Sequence, residues 1–341
     1  MRLLDESGRP IRGKECRNLA ELALARVKAA GAWRPVADLA CADTWQVAKV
    51  CSRYIAHCEH RAANGRVSLE YRNEVNRLLN AFCAYCGGLA VAELRKGHVE
   101  HWVESQATWR SPATRSNAIT IVLAAFNYAH EQFDVANPLR GLKKPPPRPR
   151  LHSFSPEDEQ AMYAATDQPY RDFLFAAVHT GLRPFCELAR LRRQDVFETA
   201  RGMMWRVDSS KTGKTRRIPV RSEVAELTRR WLSTIPANSA TVFRNLQGRP
   251  WKKVTGGCRF RTIRRRLDWE ADPVRQGFST YTCRHTFAHR MLAGYWNGGV
   301  GCTIEVLAEL MGDTPSVAFN HYGKMWGQHY QDPLWAAIGA G

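Results

Sequence analysis

A chain of 341 residues, 44% hydrophobic and 24% charged, is long enough for about two domains of roughly 150 residues each, and its composition excludes a disordered or fibrous protein. No window approaches the roughly 18 uninterrupted apolar residues of a membrane span, since the best run, Ile119 to Phe126, is closed by Asn117 and Asn127. The 50 Lys and Arg against 32 Asp and Glu leave a net charge of +18, which points to a polyanionic partner.

The opening Met1-Arg2-Leu3-Leu4-Asp5-Glu6 has acids where a signal peptide needs an apolar stretch. The expected compartment is therefore the cytoplasm, with nucleoid association when DNA is bound, and the ten cysteines read as reduced thiols. Residues 1–42 read as an extension of unassigned role. From Asp43 the pattern turns helical: Asp43 with Gln46 suggests a capping box, and Val47, Cys51, Tyr54 and Cys58 recur at helical spacing. A second helix carries Tyr71, Val75, Leu78, Phe82 and Tyr85 and stops at Gly87-Gly88. A shorter third carries Val99, Trp102 and Val103. A fourth starts at Ser111-Pro112, runs through Val122, Phe126, Ala129 and Phe133, and ends before Asn137-Pro138. Residues 43–138 are thus expected to form a four-helix domain.

Residues 139–150 read as a stiff basic linker, because clustered prolines keep the chain extended and cations stop it collapsing. Ser155-Pro156-Glu157 then caps a new helix, and Tyr170 to Thr180 form another. Met204 to Ser209 and Thr215 to Val220 suggest two strands around the turn Lys211-Thr212-Gly213-Lys214. Helical patterns resume at Ser222. The expected class is mostly α with a small β-sheet: a helical domain followed by a mixed domain over residues 151–341. Each half of the chain, 1–150 and 151–341, carries a net charge of +9, and Arg249 to Arg266 holds eight Lys or Arg and no acid. Lys143, Lys144, Arg148, Arg150, Lys252, Lys253, Arg264 and Arg265 are the candidate DNA contacts, since phosphate neutralisation needs cations wherever the backbone passes.

No Walker loop, His-Glu-x-x-His or Gly-x-Ser-x-Gly is present, so nucleotide hydrolysis, zinc proteolysis and serine hydrolysis lose their usual signs. Cys83 and Cys86 have the spacing of half a zinc site, but Cys51 and Cys58 fall on a core stripe and all four read as buried apolar thiols. No metal or cofactor is expected. What remains is a dispersed set: His179-Thr-Gly-Leu-Arg183 with Glu187, Lys211, Tyr281-Thr-Cys-Arg284-His285-Thr-Phe-Ala, Leu310-Met-Gly-Asp313, and His321-Tyr322. Taken singly, each has a duller reading: a salt-bridged arginine, a solvated turn lysine, a packed tyrosine.

In this order, with nine residues from Asp313 to Tyr322, the set resembles the tyrosine recombinase (phage integrase) family over most of the chain. The resemblance implies a core-binding domain at residues 43–138 and a catalytic domain at 151–341. It implies that Tyr322 attacks a DNA phosphodiester, leaving a 3′-phosphotyrosine and a free 5′-hydroxyl, with neither ATP nor metal. Arg183 and Arg284 would hold the transition-state charge, and Lys211, or next to it Lys214, would protonate the departing oxygen. Glu187 would hold Arg183 through an i,i+4 pair, and His285 would support the site. Double-stranded DNA is the implied partner and a homotetramer on two DNA sites the implied assembly, within a mobile element of unspecified kind.

Two positions depart from the family pattern. Tyr281 stands where a histidine is usual; its hydroxyl can donate to phosphate but is ionised in only about one molecule in a thousand at pH 7. Asp313 stands where His or Trp is usual, and it either brings negative charge toward a phosphate or pairs with Arg284 or His285 and orients it. Three rivals stay open: a catalytically weakened DNA-binding relative of the same fold, a type IB topoisomerase-like enzyme, and an RNA-binding helical protein, for which no stacking platform is visible.

Overall fold

A computed structural model describes residues 45–109, 111–146, 152–208, 213, 215–236 and 239–323. The N-terminal extension with Asp43, the basic residues Arg148 and Arg150, and Lys211 and Lys214 lie outside the described residues. The chain divides into two compact units, Met1–Arg148 and Pro149–Gly341.

In the first unit, α1 (Val47–Ala63), α2 (Leu69–Cys86), α3 (Lys96–Glu104) and α4 (Pro112–Phe133) surround a single core. Val47, Cys51, Tyr54 and Cys58 are buried along α1, as their spacing predicts. The helix starts directly after Gln46, whose side chain makes no capping bond, so Gln46 is the cap and not the third helical residue of a capping box. Along α2 the buried stripe is Val75, Leu78, Leu79, Phe82 and Cys86. Tyr71 and Tyr85 are exposed instead, because the step after Phe82 is four residues and turns Cys86, not Tyr85, inward. Ser111 caps α4 ahead of Pro112, and Asp134 closes it in the left-handed region. Leu139 and Leu142 are buried in this same core, so the start of the expected linker is a packed turn of the helical unit.

The second unit opens with Ser155, whose side chain and that of Asp158 form a capping box ahead of α5 (Pro156–Ala164). Next come α6 (Gln168–Thr180) and a three-stranded antiparallel sheet, β1 (Val196–Thr199), β2 (Gly202–Asp208) and β3 (Thr215–Pro219), in that spatial order. The β2–β3 register pairs Asp208 with Thr215 at the adjoining ends of the two strands. Strand β1 was not expected from the sequence. Helices α7 (Ser222–Thr234), α8 (Lys253–Arg266), α9 (Thr282–Leu292), α10 (Ile304–Met311) and α11 (Pro315–His321) complete the unit. Trp205, Tyr170, Phe173, Phe243 and Phe278 fill the main core. A smaller cluster joins Phe287 and Ala288 of α9 to Leu307 and Met311 of α10 and to Tyr322. Among the described residues, no helix is long and apolar enough to cross a membrane.

Candidate active site

Three helix ends converge on one site. Helix α6 terminates at Gly181, which adopts φ +64° and leaves no room for a side chain, since a Cβ there would meet the Phe287 ring at 2.2 Å. The chain turns there and presents Arg183. On α9, Arg284 and His285 follow Tyr281 by three and four residues, which places the three on one helix face. Helix α10 ends at Gly312, at φ +67°, where a Cβ would meet the Arg216 guanidinium at 2.3 Å. Asp313 follows, Thr314 caps α11, and Tyr322 closes that helix.

The charged groups form one network. Arg183 donates from Nη1 to Glu187 Oε1 at 2.7 Å and from Nη2 to Asp313 Oδ1 at 2.6 Å. Glu187 also accepts from the Arg183 backbone N–H at 2.9 Å. Arg284 is wholly buried. It donates from Nη1 to the Gly181 carbonyl at 2.6 Å, and from Nη2 to the Met311 carbonyl at 2.9 Å and Asp313 Oδ2 at 2.6 Å. One carboxylate therefore bridges both arginines. Of the alternatives the sequence left open for Asp313, pairing holds, with Arg183 as well as Arg284. On the far side of Glu187, Arg216 of β3 donates from Nη1 and Nη2 to the two carboxylate oxygens at 3.1 and 3.0 Å and from Nε to the Leu310 carbonyl at 3.1 Å. Burial drives the Glu187 pKa upward, but Arg216 and Arg183 outweigh it and hold the carboxyl below its usual range.

A cavity of about 450 Å³ opens beside this network, lined among others by Arg183, Asp313, Tyr281, His285 and Tyr322. Tyr281 is 44% exposed, with its ring 5.3 Å from that of His285. Tyr322 is only 3% exposed and lies 5.6 Å from the His285 ring. Burial pushes its hydroxyl up to about 12 against the opposing pull of Arg284. Desolvation, reinforced by His289 and Arg284, pushes the His285 imidazole down to about 4, so it is neutral at pH 7. The pocket thus holds the Arg183 guanidinium, the Asp313 carboxylate that ties it to the buried Arg284, and the Tyr322 phenol close to the neutral imidazole of His285.

Arg183, Glu187, Tyr281, Arg284, His285, Asp313 and Tyr322 are brought together. Sequence reasoning missed Arg216 and His152, and named His321 beside Tyr322 without giving it a role. Arg216 had a signal: period two puts it on the same face of β3 as buried Ile218, and an inward cation needs an anion. His152 lines the cavity because the segment beside it is tied to α9, with Phe154 N–H donating to Thr286 Oγ1 at 2.9 Å. Of the candidate DNA contacts, Lys252, Lys253 and Arg265 are exposed on α8, whereas Arg264 donates to the Gln276 carbonyl and is committed to that turn. Lys143 and Lys144 line a groove of the helical unit beside Glu100 and Glu104, which partly offsets their charge.

The fold of the second unit matches that of tyrosine recombinase catalytic domains. The chain carries a phage integrase family domain over residues 152–313. It is similar in structure to the Tn1549 transposon integrase solved with circular intermediate DNA, with 18% identity over 82% of this chain and 95% of that one and a TM-score of 0.63. A lambda integrase dimer bound to a COC′ core site matches at 14% identity over 93% and 90% of the two chains, also with a TM-score of 0.63. A lambda integrase tetramer bound to a Holliday junction matches at 13% identity, 91% of each chain and a TM-score of 0.60. No curated protein sequence matches the chain.

Proposed function

We propose that this protein is a site-specific DNA recombinase of a mobile element, which breaks and rejoins DNA through a phosphotyrosine at Tyr322. The observation that carries the reading is that Arg183 and Tyr322 line one pocket, with the buried Arg284 tied to Arg183 behind it through Asp313. The Tyr322 oxygen attacks the scissile phosphorus; a phosphotyrosyl bond forms as the bond to the 5′-oxygen breaks. The phenol gives up its proton and the departing oxygen gains one, for which Lys211 is the donor that the family resemblance names. Two guanidiniums, permanently protonated and fork-shaped, suit the charge that gathers on the non-bridging oxygens. With a pKa of about 12, Tyr322 is ionised in about one molecule in 10⁵ at pH 7, so its proton has to leave during attack. Solvent in the cavity that Tyr322 lines is the acceptor for it, since the His285 imidazole beside the ring is depressed to about 4 and is a weak base. Strand exchange is the reverse attack by the 5′-hydroxyl of another strand. A homotetramer on two duplexes is the assembly this requires; the lambda integrase matched above is a tetramer bound to a Holliday junction.

The test is covalent trapping on a nicked cognate duplex without metal or ATP. Wild type is expected to accumulate an adduct carrying a free 5′-hydroxyl, and Tyr322→Phe, which removes one oxygen and keeps the ring, to bind DNA and form none. Adduct from Tyr322→Phe would move the nucleophile elsewhere. Absence of adduct from wild type on its own site would favour the DNA-binding relative, a reading the Asp313 bridge between the arginines already gives some support. Relaxation of supercoiled DNA by a monomer would favour the topoisomerase.

A further inference from the structure

The place between Arg183 and Arg284 is already filled. Nothing of Arg284 reaches solvent; its terminal nitrogens bond the Gly181 and Met311 carbonyls and Asp313, and of these partners only the Asp313 carboxylate is a side chain that borders the open cavity. Arg183 divides its terminal nitrogens between Glu187 and Asp313, with the Gly312 carbonyl 3.4 Å from Nη2. A phosphate oxygen therefore meets Arg284 only where the Asp313 carboxylate now sits. The backbone of Asp313 has little freedom to withdraw. Its N–H donates to the Ala308 carbonyl at 2.9 Å, Gly312 before it is pressed against Arg216, and Thr314 after it accepts from the Val317 N–H at 3.3 Å. What remains is rotation of the side chain between staggered rotamers, and the carboxylate borders the open cavity into which it can turn.

We propose, on the recombinase reading above, that Asp313 is a built-in occupant of the phosphate seat. In the DNA-free protein its carboxylate holds the place between the two guanidiniums. A phosphate oxyanion takes that place in exchange as the side chain rotates into the cavity, and only then does Arg284 touch the ligand. Like charges cannot share a seat this small, so the exchange lowers phosphate affinity and sets a threshold that a correctly placed phosphodiester has to overcome.

Orthophosphate at constant ionic strength is the probe, with binding followed by calorimetry. Asp313→Asn keeps the shape and removes the charge, and it is expected to bind orthophosphate about tenfold tighter or more than wild type; Asp313→Glu, which keeps the charge, is expected to bind as weakly as wild type. Asp313→Ala replaces the Asn variant if that one does not fold. Equal or weaker binding by the uncharged variant overturns the proposal. The wild-type chain gives an independent readout, because exchange moves the carboxyl ¹³C resonance of Asp313 when orthophosphate is added. A resonance that stays fixed while phosphate binds overturns it equally. The two readings fail separately. Tighter phosphate binding by Asp313→Asn with no covalent adduct from wild type would sink the recombinase and keep the occupied seat; an adduct with unchanged phosphate affinity would do the reverse.

Discussion

At the scale of single residues, the site is set by which groups are kept charged and which are not. His285 is buried and neutral, with its imidazole pushed down to about 4 from an ordinary value of 6.5. A base whose folded pKa is depressed leaves the unfolded chain binding the extra proton first. Its neutral form therefore favours folding above about pH 6.5, and that contribution is lost progressively as pH falls toward 4. The loss is on the order of 3 kcal/mol if the full shift is realised. Chemical denaturation from pH 7 to 4 should show wild type losing stability more steeply than His285→Gln, which has no proton to take up. Parallel curves would mean that His285 is not held neutral by its surroundings. Arg183, Arg284, Glu187 and Tyr322 were legible in the sequence because each sits in a local motif. Of the two partners of Asp313, Arg284 was among those the sequence offered; Arg183 was not, because it is 130 residues away and only the fold brings the two together.

At the scale of elements, periodicity located every described helix of the first unit, since a buried stripe repeating at three and four residues leaves a strong trace. It failed at β1, a four-residue edge strand with no buried position, where alternation has nothing to mark. It also passed over Arg216, the residue that ties β3 to the carbonyl end of α10 and to Glu187. That contact anchors β3 onto the arginine network. Glu187 has a side chain only 1% exposed, so Arg216→Ala leaves a buried carboxylate with one cation fewer and is expected to cost about 3 kcal/mol of unfolding free energy. Adding Glu187→Gln to that variant removes the charge left behind and should recover part of the loss, as measured by denaturant unfolding of both variants. A double variant less stable than Arg216→Ala would mean that the pair is not what Arg216 supplies.

At the scale of the whole molecule, the even spread of charge is the property that one family domain does not explain. The phage integrase match ends at residue 313 and starts at 152, yet residues 1–150 carry the same net +9 as the rest. In the helical unit most described apolar positions lie in its own core, with Leu69, Tyr71 and Tyr85 exposed, and its cations are what it offers a polyanion. If both units contact one duplex, about ten phosphates are neutralised, and the logarithm of the binding constant should fall against the logarithm of salt concentration with a slope near −9. Binding through residues 149–341 alone would engage about half as many phosphates and give a slope of about −4 to −5. The measurement is fluorescence anisotropy of the full chain with a labelled duplex across a salt series. A slope of about −5 or shallower would remove the helical unit from the DNA, and with it the reading of residues 43–138 as a core-binding domain.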